Sequence, residues 1–437
     1  MKVAIIGNMN NNNFSLLRYL RDLGINAKLF LFKNDGTNES SHFSCSADTF
    51  ELDKWSPYIT RTEILNSQVQ ILGTNFFFNF LFYIIYILHK VFFKKKQLRY
   101  YPSIFGIKKY IKKTFKDFDV LIGTGNTPAI FYSSGLQINI FAPCSFGIEY
   151  FDCINTKKLI SSNFFVIRYF AKKMKKFQLN GMKNSKIINT QFGVTLESLE
   201  QNKLYFYPID YPMVYLSKSH LLRGEDSNLD IINKINEYDF VVLSHSRHLW
   251  VKPESSNFNR WDEYANKNNN WLINSFSRTI KEFPKKSILL ILFEYGPNVE
   301  ETKKLCKTAG IEKNVVWIPI MNRRDILVLI NRVNVVASEF YSGQGIMWGG
   351  TGWETLIMGK PLIVGFNFPN NSFKKLFGFD PPPVFGVKKE KDIFSHLVSL
   401  INSPELEKKN GVKNKEWFYK YNGYIAAKKW VNLFEEN

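Results

Sequence analysis

Short, wholly apolar runs alternate along this chain with longer stretches whose apolar positions recur every three to four residues. The first unit opens the chain: Val3-Ala4-Ile5-Ile6, a polar loop from Gly7 to Asn13, a helical pattern over 14–23 stopped by Gly24, and a second apolar run over 27–32. Further strands are predicted at 119–122, 138–142, 186–189 and 204–208. After a polar stretch the pattern restarts, with strands at 239–244, 287–293, 315–319, 333–338 and 362–364 and helices at 271–283, 299–309 and 325–332. From 404 onward the pattern is helical, anchored by Trp417, Tyr421, Ile425, Trp430 and Phe434. Between 33 and 74 the periodicity is weak and assigns no element. Strands apolar on both faces, separated by helices, predict parallel sheets covered by helices, an α/β fold. A chain of 437 residues exceeds one ordinary core. The expected division is a first domain over 1–216, a linker over 217–230, a second domain over 231–415, and a helix over 416–437 packing back on the first domain.

Charge changes this picture on one side of the molecule. The net charge is +20, and residues 75–186 hold 19 Lys and Arg against 4 Asp and Glu. Such a field implies an anionic partner, nucleic acid or an anionic lipid surface. Within it, 76–93 is the most apolar segment, close to the ~20 residues that span a bilayer core. Its less apolar positions, Asn75, Asn79, Tyr83, Tyr86, Lys90, Lys94 and Gln97, nevertheless fall in one sector about 100° wide at helical spacing. A polar stripe on a broad apolar helix fits contact in the plane of a membrane, or partial burial, better than a span. Beside it, Ile104, Ile107, Ile111 and Phe115 line one helical face, with Lys108, Lys109, Lys112, Lys113 and Lys116 on the other. Lys94-Lys95-Lys96, Arg99 and 172–176 add to the same basic field. Lysines beside an apolar helix, not interleaved with stacking aromatics on strands, favour lipid over nucleic acid. The four cysteines, Cys45, Cys144, Cys153 and Cys306, form no CxxC pair. A reducing compartment fits, with no zinc site or disulfide framework. The opening apolar run is too short for a secretory signal.

The chemistry concentrates where the strand over 333–338 gives way to Gly343-Gln344-Gly345 and then Gly349-Gly350-Thr351-Gly352-Trp353-Glu354. Glycines opening a helix leave backbone N–H groups and the positive helix end open to an anion, and Glu354, expected in the first turn, suits sugar hydroxyls. The plainer reading is a tight strand–helix turn that needs small residues. Ser246-Arg247-His248 follows the strand over 239–244, at the sheet edge where open α/β folds bind ligands. There Arg247 is suited to fork onto a diphosphate, with Lys267 before the next helix as a second cation. His245 and His248 lack an acidic or cysteine companion, so packing or hydrogen bonding is expected of them and no metal. In the first half, the asparagine run after Gly7 reads either as a low-complexity loop or as amides lining an acceptor pocket. On the second reading Gly7, Asn8, Asn10, Gly123 and Asn126 contact the acceptor. No Ser/His/Asp set, HExxH or Walker lysine is present.

Ser246-Arg247-His248, Lys267 opening a helix, 315–319 and 349–363 together resemble the nucleotide-binding domain of GT-B glycosyltransferases of the family 4 type. The resemblance covers about 200 residues of the second half. It implies two Rossmann-like domains facing across a cleft, with the C-terminal helix returning to the first. It implies transfer of a sugar from a UDP- or GDP-linked donor to a lipid-linked or cell-surface glycan, with configuration retained and neither metal nor cofactor needed. Arg247 and Lys267 match the diphosphate-binding pair and Glu354 the ribose-binding carboxylate. Ile318, Pro319 and Met321 would lie beside the base, and Gly349, Gly350, Thr351 and Gly352 near the phosphates or donor sugar. Two positions depart from the family: Ile346 stands where a first glutamate is usual, and Lys267-Asn268 where Lys-Gly is usual. Glu339, or backbone near Gly349, is expected to take the donor-sugar contact, giving a catalytic set of Arg247, Lys267 and Glu339. The basic face would hold the enzyme on the cytoplasmic side of an anionic membrane. The rival readings are a nucleotide-sugar epimerase or hydrolase of the same fold, and a basic nucleic-acid-binding protein.

Overall fold

A computed structural model describes residues 1–8, 11–33, 52–64, 80, 84, 107–143, 161, 165–188, 194–216, 230–254 and 261–435. Asn10, most of 76–93, Lys94–Lys96, Arg99, the linker over 217–229, and Cys45, Cys144 and Cys153 lie outside them.

Two parallel sheets form: the first strand of one is buried from Val3 to Ile6, and that of the other along its whole length. The first contains β1 (Lys2–Ile6), β2 (Asn26–Leu31), β3 (Ile59–Arg61), β4 (Val120–Gly123), β5 (Ile140–Phe141), β6 (Lys186–Ile188) and β7 (Phe206–Tyr207), in the order β3-β2-β1-β4-β5-β6-β7. The second contains β8 (Phe240–Ser244), β9 (Ile288–Phe293), β10 (Val315–Ile318), β11 (Val335–Ala337), β12 (Leu362–Gly365) and β13 (Phe385–Val387), in the order β10-β9-β8-β11-β12-β13. In both, the chain winds outward over three strands, then returns to the other side of the first. The crevice this opens lies at the carboxyl ends of β1 and β4 in one sheet and of β8 and β11 in the other. These are two Rossmann-like domains, as the alternation predicts. The edge strands β3 and β13, three residues each, carry too little pattern to be read beforehand.

Local chemistry explains the helix limits. Helix α1 (Asn12–Asp22) ends where Gly24 takes φ +80° and Ile25 N donates to Leu20 O at 2.9 Å. In α2 (Ile107–Phe115), Ile107, Ile111 and Phe115 are buried while Lys108, Lys109, Lys112 and Lys113 face solvent. Helices α3 (Thr127–Ser134) and α4 (Phe165–Lys183) complete that side of the first sheet. On the second sheet lie α5 (Asn269–Glu282), α6 (Val299–Thr308), α7 (Arg323–Arg332), α8 (Gly350–Met358) and α9 (Glu390–Asn402).

The C-terminal helical stretch is broken, not continuous. Helix α10 (Pro404–Tyr421) keeps Trp417 and Phe418 in the second core, and α11 (Tyr424–Glu435) carries Ala427, Trp430, Leu433 and Phe434 into the first. The return to the first sheet therefore begins at Asn422-Gly423, where Gly423 has φ +56°, and not at 416. Ile425, expected as an anchor, faces solvent on the first turn of α11.

Candidate functional site

The site assembles at the carboxyl ends of β8 and β11. Beyond β8 come His245, Ser246 and Arg247; beyond β11 come Ser338 and Glu339. Lys267 sits just before α5 and is pinned by its backbone: its N–H donates to Leu249 O at 2.8 Å and its carbonyl accepts from Phe340 N at 3.1 Å. The turn into α5 needs a left-handed residue, and Asn268 supplies it at φ +48°. The Asn268 amide also donates to Phe340 O at 2.7 Å, a bond that glycine would forgo.

The Lys267 ammonium is buried and ion-paired with the Glu339 carboxylate, over the ring of Tyr341 at 5.3 Å. Burial pulls the lysine pKa down, but Glu339 and Tyr341 outweigh it and hold it above its ordinary value. The second Glu339 oxygen accepts from Gly349 N at 3.3 Å, immediately before α8. A side chain at 349 would displace that oxygen, since its Cβ would lie 2.7 Å from it. Lys267 is thus not the bare cation that the sequence suggests. An isolated buried ammonium is too costly, and Glu339 matches it. Arg247 is exposed, its stem lies over Gly296, and it makes no ion pair among the described residues. Burial raises the pKa of the Tyr341 hydroxyl, while Lys267 and Arg247 both oppose that rise. Lys267, Glu339 and Gly349 are therefore neighbours, and the Arg247 charge acts on the Tyr341 hydroxyl beside them. The first N–H groups of α8, on Gly350 and Thr351, donate to no group among the described residues.

Glu354 is the fifth residue of α8, so it lies in the second turn, not the first, and is only 4% exposed. Its Oε1 accepts from Arg323 Nε at 2.6 Å, and its Oε2 bonds His245 Nε2 at 2.7 Å. Burial raises its pKa, yet Arg323 and then His245 lower it further, leaving it below the usual carboxylate value. Arg323 is the site residue that sequence reasoning missed. The available signal was its place at the start of the helix that follows β10. Helix α8 itself is wedged by aromatics: Trp353 stacks on Trp417 at 6.1 Å and meets Trp348 edge-on at 5.3 Å. Gly352 is closed against Trp348, whose Cβ a methyl there would approach to 2.5 Å.

The two histidines part company. His248 bonds Thr302 Oγ1 through Nδ1 at 3.1 Å and packs on Trp317, and burial holds its pKa at about 4, so it stays neutral. Ile346, at the place of the family's first glutamate, is buried against Tyr264 and Tyr341. Ile318 is buried at the end of β10, Pro319 is exposed and Met321 half-buried, on the stretch that leads into Arg323.

In the first domain, Gly7 (φ +85°) and Gly123 end the adjacent strands β1 and β4, with Ile6 paired to Gly123. Asn126 is buried just before α3. The Asn8 amide is turned inward: Oδ1 accepts from Phe14 N at 2.9 Å and Nδ2 donates to Asn11 Oδ1 at 3.0 Å. Asn13 Nδ2 donates to Gly7 O at 2.6 Å. These asparagines build the start of α1, satisfying helix-end groups that a flexible loop would leave to water.

No family model and no curated protein matches the chain by sequence. Among solved structures, Anabaena HepE in complex with UDP-glucose superposes with TM-score 0.57 at 13% identity, over 100% of both chains. S. aureus TarM, solved with UDP, gives 0.55 at 13% identity, again over 100% of both. A glycosyltransferase from Rickettsia africae gives 0.55 at 13% identity, over 100% of this chain and 98% of that one. These likenesses assign the fold: it is GT-B.

Proposed function

We propose that the protein transfers a sugar from a nucleotide diphospho-sugar to a glycan or lipid-linked glycan. The observation that carries this reading is the meeting at one sheet crevice of the Lys267–Glu339 pair and the open N–H groups at the start of α8, with the exposed Arg247 beyond the end of β8. A leaving diphosphate gathers charge as the glycosidic bond breaks. Fixed donors aimed at it stabilise that charge without reorganising. In this reading Arg247 forks onto the diphosphate, Gly350 and Thr351 donate from the helix end, and Lys267 stays charged because Glu339 holds it so. The geometry favours an anionic ligand over a neutral sugar alone, because the exposed Arg247 has no carboxylate partner among the described residues. From the family resemblance the reading takes retention of configuration and no need for a metal.

Placement at an anionic membrane on the cytoplasmic side is part of the proposal. Its support is the exposed lysine face of α2, together with Phe80 and Ile84 of the apolar segment, 58% and 38% exposed.

Calorimetric titration with UDP and GDP tests the donor half. One of the two should bind, and Arg247→Ala should weaken it by about 10- to 100-fold, the span expected for a charge-assisted contact. Failure of both to bind, or unchanged binding by the variant, would sink the reading. Incubation with a nucleotide-sugar and no acceptor separates it from its rival of the same fold, since an epimerase or hydrolase turns over under those conditions.

A further inference from the structure

We infer that the first domain carries a second binding site, at the amino-terminal ends of β6 and β7, that holds a negatively charged sugar chain. The inference does not rest on the proposed transfer reaction. The crevice of this sheet opens at the carboxyl ends of β1 and β4, so the site stands apart from it. A cavity of about 380 Å³ lies there. It is lined by Lys183 at the end of α4, Lys186 at the start of β6, Lys203 and Tyr205 just before β7, and Tyr207 within it. No Asp or Glu side chain lines it among the described residues. Lys186 Nζ donates to Leu433 O of α11 at 2.8 Å. Lys183 and Lys203 are exposed and make no ion pair among the described residues. Two open ammonium groups, and a third held by a neutral carbonyl, leave the cavity positive and select an anion.

Tyr205 indicates what carries that anion. It is 75% exposed and meets Tyr207 edge-on, with ring centroids 5.2 Å apart. One ring thus backs the other and leaves a rigid aromatic face open to the cavity. The C–H face of a pyranose ring packs on such a surface, and the exposed Asn184 amide on the cavity wall suits its hydroxyls. Lys203 supplies an independent sign. The helix Val194–Gln201 closes with Lys203 N donating to Glu200 O at 3.0 Å and Leu204 N to Leu199 O at 2.9 Å, and Leu199 and Leu204 share a buried cluster. That closure needs a left-handed residue at 203, where φ is +53°. Other helices of this chain end on glycine in that conformation, at Gly24, Gly135, Gly359 and Gly378. Lys203 is the one left-handed residue among the described residues that is neither glycine nor asparagine. A lysine kept at a turn that favours glycine points to a use for its charge.

Titration calorimetry on the full chain tests the site at about 0.15 M salt, where charges more than about 8 Å apart are largely screened. Hexagalacturonate and a heparin hexasaccharide serve as charged chains, maltohexaose as a neutral chain, tripolyphosphate as charge without sugar, and a thymidine hexanucleotide as nucleic acid. The charged chains should bind more tightly than the other three. Binding of only one of them supports the site and assigns its anion as carboxylate or sulfate. Tyr205→Ala, at an exposed position, should weaken binding by about three- to tenfold. Lys203→Gly should weaken it by about two- to fivefold without lowering the melting temperature, since glycine accepts the left-handed turn. Replacing the five α2 lysines with glutamine should leave the affinity within about twofold. Equal binding of charged and neutral chains, equal binding of tripolyphosphate, or affinities unchanged in both site variants would overturn the inference. So would a loss confined to the α2 variant, no binding of either charged chain, or tighter binding of the hexanucleotide, which would make the partner a nucleic acid. Each of these failures leaves the donor reading to its own titrations with UDP and GDP.

Discussion

Gly349 and Gly350 are adjacent glycines with opposite demands. A methyl on Gly349 would sit 2.7 Å from Glu339 Oε2, whereas one on Gly350 meets only Arg323 Nη2 at 3.7 Å. Gly349→Ala should therefore displace Glu339 and strand the buried Lys267 charge, costing about 1–3 kcal/mol in chemical denaturation. Gly350→Ala should stay within about 0.5 kcal/mol. Equal losses at both positions would mean that Glu339 is not held against the helix start. From the sequence the two glycines look alike, because the carboxylate that separates them lies ten positions away at Glu339. Arg247 and Glu354 were readable as candidates from spacing alone. Arg323 was not, because its role comes from a partner 31 residues distant, and its one local signal is its place at the start of α7.

Among the elements, α2 is the most legible. Its apolar positions at 107, 111 and 115 and its lysines between them follow from a period of 3.6, and burial divides them as the pattern predicts. The face made by Lys108, Lys109, Lys112, Lys113 and Lys116 carries a prediction at the same scale. Replacing all five with glutamine should markedly reduce co-sedimentation with anionic vesicles, at roughly 1 kcal/mol per lysine that reaches the surface. Binding to neutral vesicles should not change. Equal binding of the native protein to both vesicle types would count against a membrane role. The loop from Gly7 to Asn13 shows the limit of such reading. Its composition suggests a low-complexity loop, and only the fold reveals that Asn8 and Asn13 tie it to the start of α1.

Across the whole molecule, the chain passes between the two sheets twice, and the two passages touch. Met213 packs against both cores, Asn422 Nδ2 donates to Tyr211 O at 3.3 Å, and Asp22 Oδ2 accepts from Tyr215 at 2.8 Å and Tyr424 at 2.7 Å. Beside this junction Asp210 is 2% exposed, and neither carboxylate oxygen has a hydrogen-bond partner among the described residues. Burial pushes its pKa up to about 7, with Lys429 of α11 opposing. The folded state therefore holds its proton more tightly than the unfolded chain does. The stability this contributes is fully present below the unfolded value near 4 and is lost as pH rises through about 7. Denaturation midpoints should fall across that window by up to about 1.4 kcal/mol per pH unit, and Asp210→Asn should flatten the slope. An unchanged slope in the variant would assign the pH dependence elsewhere.

Most strand positions, the two-sheet architecture and the glycine turn before α8 follow from the sequence, because each depends on periodicity or turn chemistry within a few residues. The pairings that define the site bridge 72 residues between Lys267 and Glu339 and 109 between His245 and Glu354. No local pattern encodes such distances. Only the packing of β8, β11 and α8 decided which charges are matched and which stay open. The cost of burying a charge can be settled only when the fold has chosen its neighbours.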